Sequence, residues 1–183
     1  VRQDVTLSCW LDNASERLAR IARAAKRRVA VHPYLDTGMN REGMPLARAL
    51  PWLEALAAQP EVRVDGIYQM FVHDVAFDRE QLARFTAFLE RAAAVGIRPR
   101  LRHAAATYEL HRVPEAHLDA VRVGNALFGS PAGSDVTHAF DARPVFRLKA
   151  RIVRVERVGP GESAGFGRGF RPEAATSVAL LPV

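Results

Sequence analysis

Four short polar runs hold the side chains in this sequence that could do chemistry. They are Asp36-Thr37-Gly38-Met39-Asn40-Arg41-Glu42-Gly43, His73-Asp74, His103-Ala104-Ala105-Ala106-Thr107 and Arg122-Val123-Gly124-Asn125. In parallel α/β architectures ligands sit at the carboxyl ends of strands, where loop amides and helix N-termini point. Arg122 places a permanent cation beside Gly124, whose bare backbone lets an anion approach, and Thr107 offers a hydroxyl. A hydroxyl with backbone amides suits a phosphate. An arginine aimed at an aromatic nitrogen would keep that nitrogen unprotonated, because guanidinium only donates. Taken singly, His103 is more often a structural histidine than a functional one, Asp36-Thr37-Gly38 reads equally as a turn and Val123-Gly124-Asn125 as a chain reversal. On successive strand ends, the runs together point to one ligand site.

The elements that must position these runs recur in a regular order. Residues 14–28 predict a helix capped by Asn13 or Ser15, with Ala14, Leu18, Ile21 and Ala25 on one face. A strand over 29–35 leads into the first polar run, and Pro45 opens a helix over 45–58. A strand over 62–72 leads into the second run, and Asp78-Arg79-Glu80-Gln81 predicts the start of the next helix as a capping box. Leu82, Phe85, Leu89 and Ala92 form its buried stripe, and Gly96 closes it in the left-handed conformation. Strands over 97–103 and 120–127 flank a short helical region at 114–118. Strand, loop and helix in this alternation predict βαβ units and a parallel sheet.

The pattern changes after Gly129. Residues 131–141 read as a linker rich in Pro, Gly and Ser, which predicts a first domain over 1–130 and a second over 142–183. Residues 145–158 alternate apolar and charged side chains, as a long strand with one wet face does. Gly159-Pro160-Gly161-Glu162 turns the chain, and short strands around Phe166 and over 178–181 follow, the beginning of an antiparallel β-domain.

Composition narrows the function classes. At 183 residues, 49% hydrophobic and 25% charged, the chain reads as soluble and globular. It has no apolar run of the roughly 20 residues that a bilayer requires. The net charge of +6 is spread along the sequence, without the interleaved aromatics of a nucleic-acid surface. The single cysteine, Cys9, excludes an intrachain disulfide and any multi-cysteine metal site, so the expected compartment is the cytoplasm, the periplasm remaining open. The N-terminus lacks a secretory signal and an initiator Met, which points to a cut chain.

Residues 36–43, 103–107 and 121–129 resemble three motifs of the alanine racemases, in that family's order, and Gly165-Phe166-Gly167-Arg168 is similar to a fourth. The resemblance implies a partial (β/α)8 TIM-type barrel, about four C-terminal βα units, followed by the start of an antiparallel β-domain. It implies pyridoxal 5'-phosphate as cofactor, a homodimer with shared sites, and two-base interconversion of L- and D-amino acids, with alanine the default substrate. By resemblance, Arg41 would bond the cofactor's phenolic oxygen and Arg122 its pyridine nitrogen. His103 would donate to Arg122 and orient it. Thr107 with the amides of Gly124 and Asn125 would hold the phosphate, and Met39 would lie near the substrate carboxylate of the partner subunit's site. Met70 stands where the family has a histidine stacked on the ring, Tyr34 where it has a carbamylated lysine, and Ala106 where it has an asparagine. The lysine and tyrosine bases match no position here, since Lys26 and Lys149 sit in other contexts. This implies the central portion of a racemase, inactive alone. The alternative is a degenerate, non-catalytic paralogue that binds pyridoxal phosphate or another phosphate ligand.

Overall fold

The computed structural model describes residues 5–129 and 143–182. In chain order the elements are β1 (Leu7–Cys9), α1 (Ala14–Ala25), β2 (Val29–Asp36), β3 (Met44–Pro45), α2 (Leu46–Ala57), β4 (Val62–Val64), β5 (Gly66–Gln69), α3 (Val75–Ala94), β6 (Leu101–Ala106), α4 (Glu109–Arg112) and β7 (Ala120–Arg122). Short 3-10 turns lie at Pro114–Ala116 and Asn125–Phe128. The strands pair in parallel in the order β1-β2-β5-β6-β7, with β3 and β4 also pairing with β2. This is a TIM-barrel-type α/β sheet, as expected. Contacts divide the chain into two compact units, Val1–Pro144 and Val145–Val183. The expected linker at 131–141 lies outside the described residues. The second unit holds an antiparallel pair, β8 (Arg154–Val158) and β9 (Thr176–Leu180). Among the described residues, no helix is long and apolar enough to cross a membrane.

Alternation along β2 decides which residues serve stability and which serve the site. Val29, Val31 and Leu35 face the helices and join a core with Leu18 and Ala22 of α1, Leu53 and Leu56 of α2, Ile67 of β5 and Phe85 and Phe88 of α3. With a side-chain period of two, His32, Tyr34 and Asp36 face the other way. That face carries the chemistry.

Several element boundaries differ from the sequence reading, each for a local reason. The expected strand over 62–72 is two, because β4 pairs with Val29–Val31 while β5 pairs further along β2, at Tyr34 and Leu35. Asp65 turns between them, its N–H donating to Val31 O and its carbonyl accepting from Arg100 and Leu101. The strand expected over 97–103 forms only at Leu101–Ala106, past Pro99, which cannot donate to a ladder. The one expected over 120–127 stops at Arg122, where the chain turns into Asn125–Phe128. Helix α1 ends at Ala25, with Lys26 left-handed at φ 51°, and the Asn13 side chain makes no cap bond. In the second unit only Arg154–Val158 of the expected 145–158 strand pairs, and Phe166–Arg168 is a 3-10 turn. Strand β1 was not anticipated.

Helix α3 begins at Val75, three residues before the expected start. Asp74 is the cap: its Oδ1 accepts from Ala76 N and Phe77 N, each at 3.1 Å. Asp78, the expected cap, is fully buried and accepts from Val72 N instead. An Asp74→Ala change should therefore cost about 1 kcal/mol in a urea titration, the usual value of an N-cap. An Asp74→Ala midpoint equal to that of the parent would return the capping role to Asp78.

Candidate functional site

The first polar run folds around its own carboxylate. Asp36 Oδ1 accepts from Gly38 N at 2.9 Å, Met39 N at 2.9 Å and Asn40 N at 3.1 Å. Gly38 and Gly43 supply the positive φ angles, 138° and 103°. Asp36 is thus a scaffold with its acceptors engaged, not a free acid or base. The loop is tied to the barrel beneath by Thr37, whose Oγ1 donates to Gln69 Oε1 at 2.9 Å and accepts from Gln81 Nε2 at 3.0 Å. Arg84 Nη1 donates to Thr37 O at 2.9 Å. These bonds leave Arg41 at the rim, its Nη2 4.0 Å from Met70 Sδ. Met39 turns back, its Sδ 3.9 Å from Tyr34 Oη.

Arg122, at the end of β7, is anchored by three hydrogen bonds. Its Nη1 donates to His103 Nδ1 at 2.8 Å, and its Nη2 donates to Gln69 O at 2.9 Å and Ala104 O at 3.0 Å. Its Cζ lies 5.0 Å from the centre of the Tyr68 ring. Burial pulls its pKa down, yet no carboxylate forms an ion pair with it among the described residues. A half-buried charge without an ion-pair partner keeps part of its desolvation cost. Arg122 is therefore placed to receive an anion or an electron-rich ring atom. The sequence reading had His103 donating to Arg122. The bond runs the other way, because guanidinium has no acceptor. His103 is itself held neutral, its pKa lowered to about 4 by burial first, then by the charge of Arg122 and the neighbouring His32.

Strand register stacks the rings behind this pair. Tyr34 is opposite Tyr68, and Tyr68 is opposite His103. Their rings stack with centroids 4.7 Å and 4.9 Å apart, and Trp10 meets Tyr34 edge-on at 5.9 Å. Ser8 Oγ lies 2.7 Å from Tyr68 Oη. Tyr34, noted in the sequence only as a departure, is 1% exposed and fills this stack. Trp10, His32 and Tyr68 were not singled out. The available signal was the even-numbered, inward-facing positions near strand ends.

The structure brings Thr107 and Gly124 together: Gly124 N donates to Thr107 Oγ1 at 3.1 Å. Leu127 N donates to Gly124 O, so the amides of Asn125 and Ala126 head the following turn. No atom lies within 4 Å of the point where a Gly124 Cβ would sit, so the space over this exposed backbone, next to the Thr107 hydroxyl, is open. The open backbone, the hydroxyl and the turn-heading amides fit a phosphate group, and Arg122, two residues before Gly124 at the end of β7, fits the ring attached to it. The second polar run is not part of this cup. Asp74 is the helix cap, and His73 stacks on Tyr108 at 4.5 Å with its Nε2 3.6 Å from Glu109 Oε1. Two linked clusters result, Arg41 with Met70 and Arg122 with His103, joined through the adjacent residues Gln69 and Met70.

Comparison with known proteins gives a consistent picture. The family profile described as "Alanine racemase, N-terminal domain" matches residues 2–131. An alanine racemase of Desulfovibrio desulfuricans is 32% identical over 187 residues, covering 100% of this chain and 50% of that protein. One of Sorangium cellulosum is 36% identical, covering 92% of this chain and 45% of the other. The chain thus spans about half the length of the curated relatives it matches. Among solved structures, alanine racemase from D-cycloserine-producing Streptomyces lavendulae superposes with a TM-score of 0.82 at 28% identity, over 98% of this chain and 49% of that one. The alanine racemase of Bartonella henselae with covalently bound pyridoxal phosphate shares the fold, with a TM-score of 0.72 at 16% identity, over 97% of this chain and 49% of that one.

Proposed function

The chain belongs to the alanine racemase family, and from that premise we propose that it holds pyridoxal 5'-phosphate for the interconversion of L- and D-amino acids, alanine by default. The observation that carries this reading is Arg122, a half-buried guanidinium fixed by His103 and two carbonyls, with the bonded pair Thr107 and Gly124 close by in the chain. When bound, pyridoxal phosphate supplies a ring that delocalises the charge left on removing the α-proton. Arg122 donates toward the ring nitrogen and keeps it unprotonated, which moderates that sink. Thr107 and the amides of Gly124 and Asn125 hold the phosphate, the Gly124 N–H leaving its bond to Thr107 Oγ1 to do so. Arg41 reaches the phenolic oxygen, and the polarizable sulfur of Met70 packs against the ring. Met39 lies toward the substrate carboxylate.

Two-base proton transfer needs a lysine and a tyrosine that match no residue of this chain. Lys26 closes α1, and Lys149 belongs to the second unit. The reading therefore places residues 1–130 in the cofactor-binding barrel, 131–141 in a linker and 142–183 in a β-domain of a larger cytoplasmic, homodimeric enzyme. A second reading, a binding paralogue without turnover, is favoured by Met70 beside Arg41 and by Tyr34 locked in the ring stack.

A titration with pyridoxal 5'-phosphate and with unphosphorylated pyridoxal, followed by ring absorbance, tests the cup. The ester should bind more tightly. Arg122→Leu and Thr107→Ala should each weaken it about 10- to 100-fold, the value of one or two charge-assisted hydrogen bonds. Equal affinities for the two compounds, or an unaltered Arg122→Leu titration, would contradict the assignment. Racemase activity of the longer protein separates the enzyme from the binding paralogue.

A further inference from the structure

The hydrogen-bond chain that anchors Arg122 does not stop at His103. His103 Nε2 lies 2.9 Å from His32 Nδ1, and the two ring centroids are 5.0 Å apart. The direction of every bond in this chain follows from its first member. Guanidinium only donates, so His103 Nδ1 must accept and carries no proton. A neutral His103 then has its proton on Nε2, which it gives to His32 Nδ1. His32 in turn must keep its own proton on Nε2. One tautomer of each ring is compatible with Arg122 where it stands.

The structure makes room for this arrangement at Gly66. A Cβ on Gly66 would come within 2.5 Å of His32 Nε2 and 2.6 Å of its Cε1, so any other residue there would displace the ring. His103 is restrained twice. The stack on Tyr68, tilted by only 6°, fixes the plane of its ring, but a ring can still turn within its plane. The bond to His32 removes that freedom and reinforces the tautomer that Arg122 requires.

We propose that His32, seated on Gly66, is a positioning residue that acts through His103 to aim Arg122. It touches neither the phosphate cup nor the Arg41 cluster by any bond described above. Its effect on binding rests on the reading of Arg122 as the ring-nitrogen donor. Its effect on His103 does not.

The test begins without ligand, in the full chain, by nitrogen-15 NMR of the histidine rings at neutral pH. His103 should show an unprotonated Nδ1 and a protonated Nε2. The opposite tautomer would overturn the proposal at once. In His32→Leu the His103 signals should shift or split between tautomers, whereas His32→Asn, whose Oδ1 can replace Nδ1 as acceptor, should restore the parent pattern. Gly66→Ala should reproduce the His32→Leu spectrum with the histidine still present. His103 signals unchanged in both His32→Leu and Gly66→Ala would sink the idea. Pyridoxal 5'-phosphate affinity should fall about tenfold in His32→Leu, one hydrogen bond's worth, and recover in His32→Asn. A tautomer change without an affinity change would refute the link to Arg122 and leave the cup assignment to its own titration.

Discussion

Taking the protein from pH 7 to pH 4 is expected to remove on the order of 3 kcal/mol of stability through His103. In the unfolded chain this imidazole accepts a proton near its ordinary 6.5; in the folded chain it does so only at about 4. Between those values the unfolded state binds more protons, so stability falls as pH falls. The contribution is complete above about pH 6.5 and gone below about pH 4. The cause is burial first, since the residue is 9% exposed, and then the fixed charge of Arg122, 2.8 Å away. His32 adds to the same slope, its pKa being lowered by burial as well. Urea titrations at half-unit pH intervals would measure the slope. His103→Gln should flatten it over this window, and a variant curve parallel to the parent's would show that the loss comes from other groups.

The same physics links stability to the proposed chemistry. A neutral His103 is the form that can accept from Arg122, so the burial that makes it acid-sensitive also preserves the arginine's anchor at neutral pH. Protonating it would set two cations side by side and remove an acceptor from the guanidinium. Acid should therefore release any phosphate ligand before the chain unfolds fully. The site and the core meet on β2, whose odd residues pack against helices while its even residues reach His103 and Tyr68.

Much of this was legible in the sequence. The alternation of apolar strands and amphipathic helices was enough for a parallel α/β sheet. Glycine and acceptor spacing located the loop of residues 36–43, and the family resemblance implied the pairing of Arg122 with His103. What escaped reading depends on register. Tyr34, Tyr68 and His103 are 34 to 69 positions apart and stack only because three parallel strands align them. His32 was invisible for the same reason. Asp74 and Asp78 both have the chemistry of a cap, and only the burial of Asp78 against Val72 separates them. In the second unit, alternation overstated the strand, because pairing requires a partner and β9 offers one only to Arg154–Val158.

Gly43→Ala should be the most damaging single-methyl change at the site, costing about 2–4 kcal/mol. Two effects add at this position. Its φ of 103° is one that side chains avoid. The added Cβ would also lie 2.8 Å from Asp36 N and 3.0 Å from the Leu35 carbonyl carbon. These are backbone atoms of β2 and cannot rotate aside. The closeness is imposed by β3, which returns immediately after the loop to pair Met44 with Leu35 and Pro45 with Asp36. Relief would require either opening that pairing or moving the amides that Asp36 gathers, and both shift Arg41, two residues away. Gly96→Ala is the matched control: its φ is 85°, and nothing lies within 4 Å of its Cβ position, so it should suffer the backbone strain alone, about 1 kcal/mol. Thermal and urea unfolding of the two variants measure the difference. Equal losses would mean that the loop can part from β2 at no cost, and the placement of Arg41 at the rim would lose its physical basis.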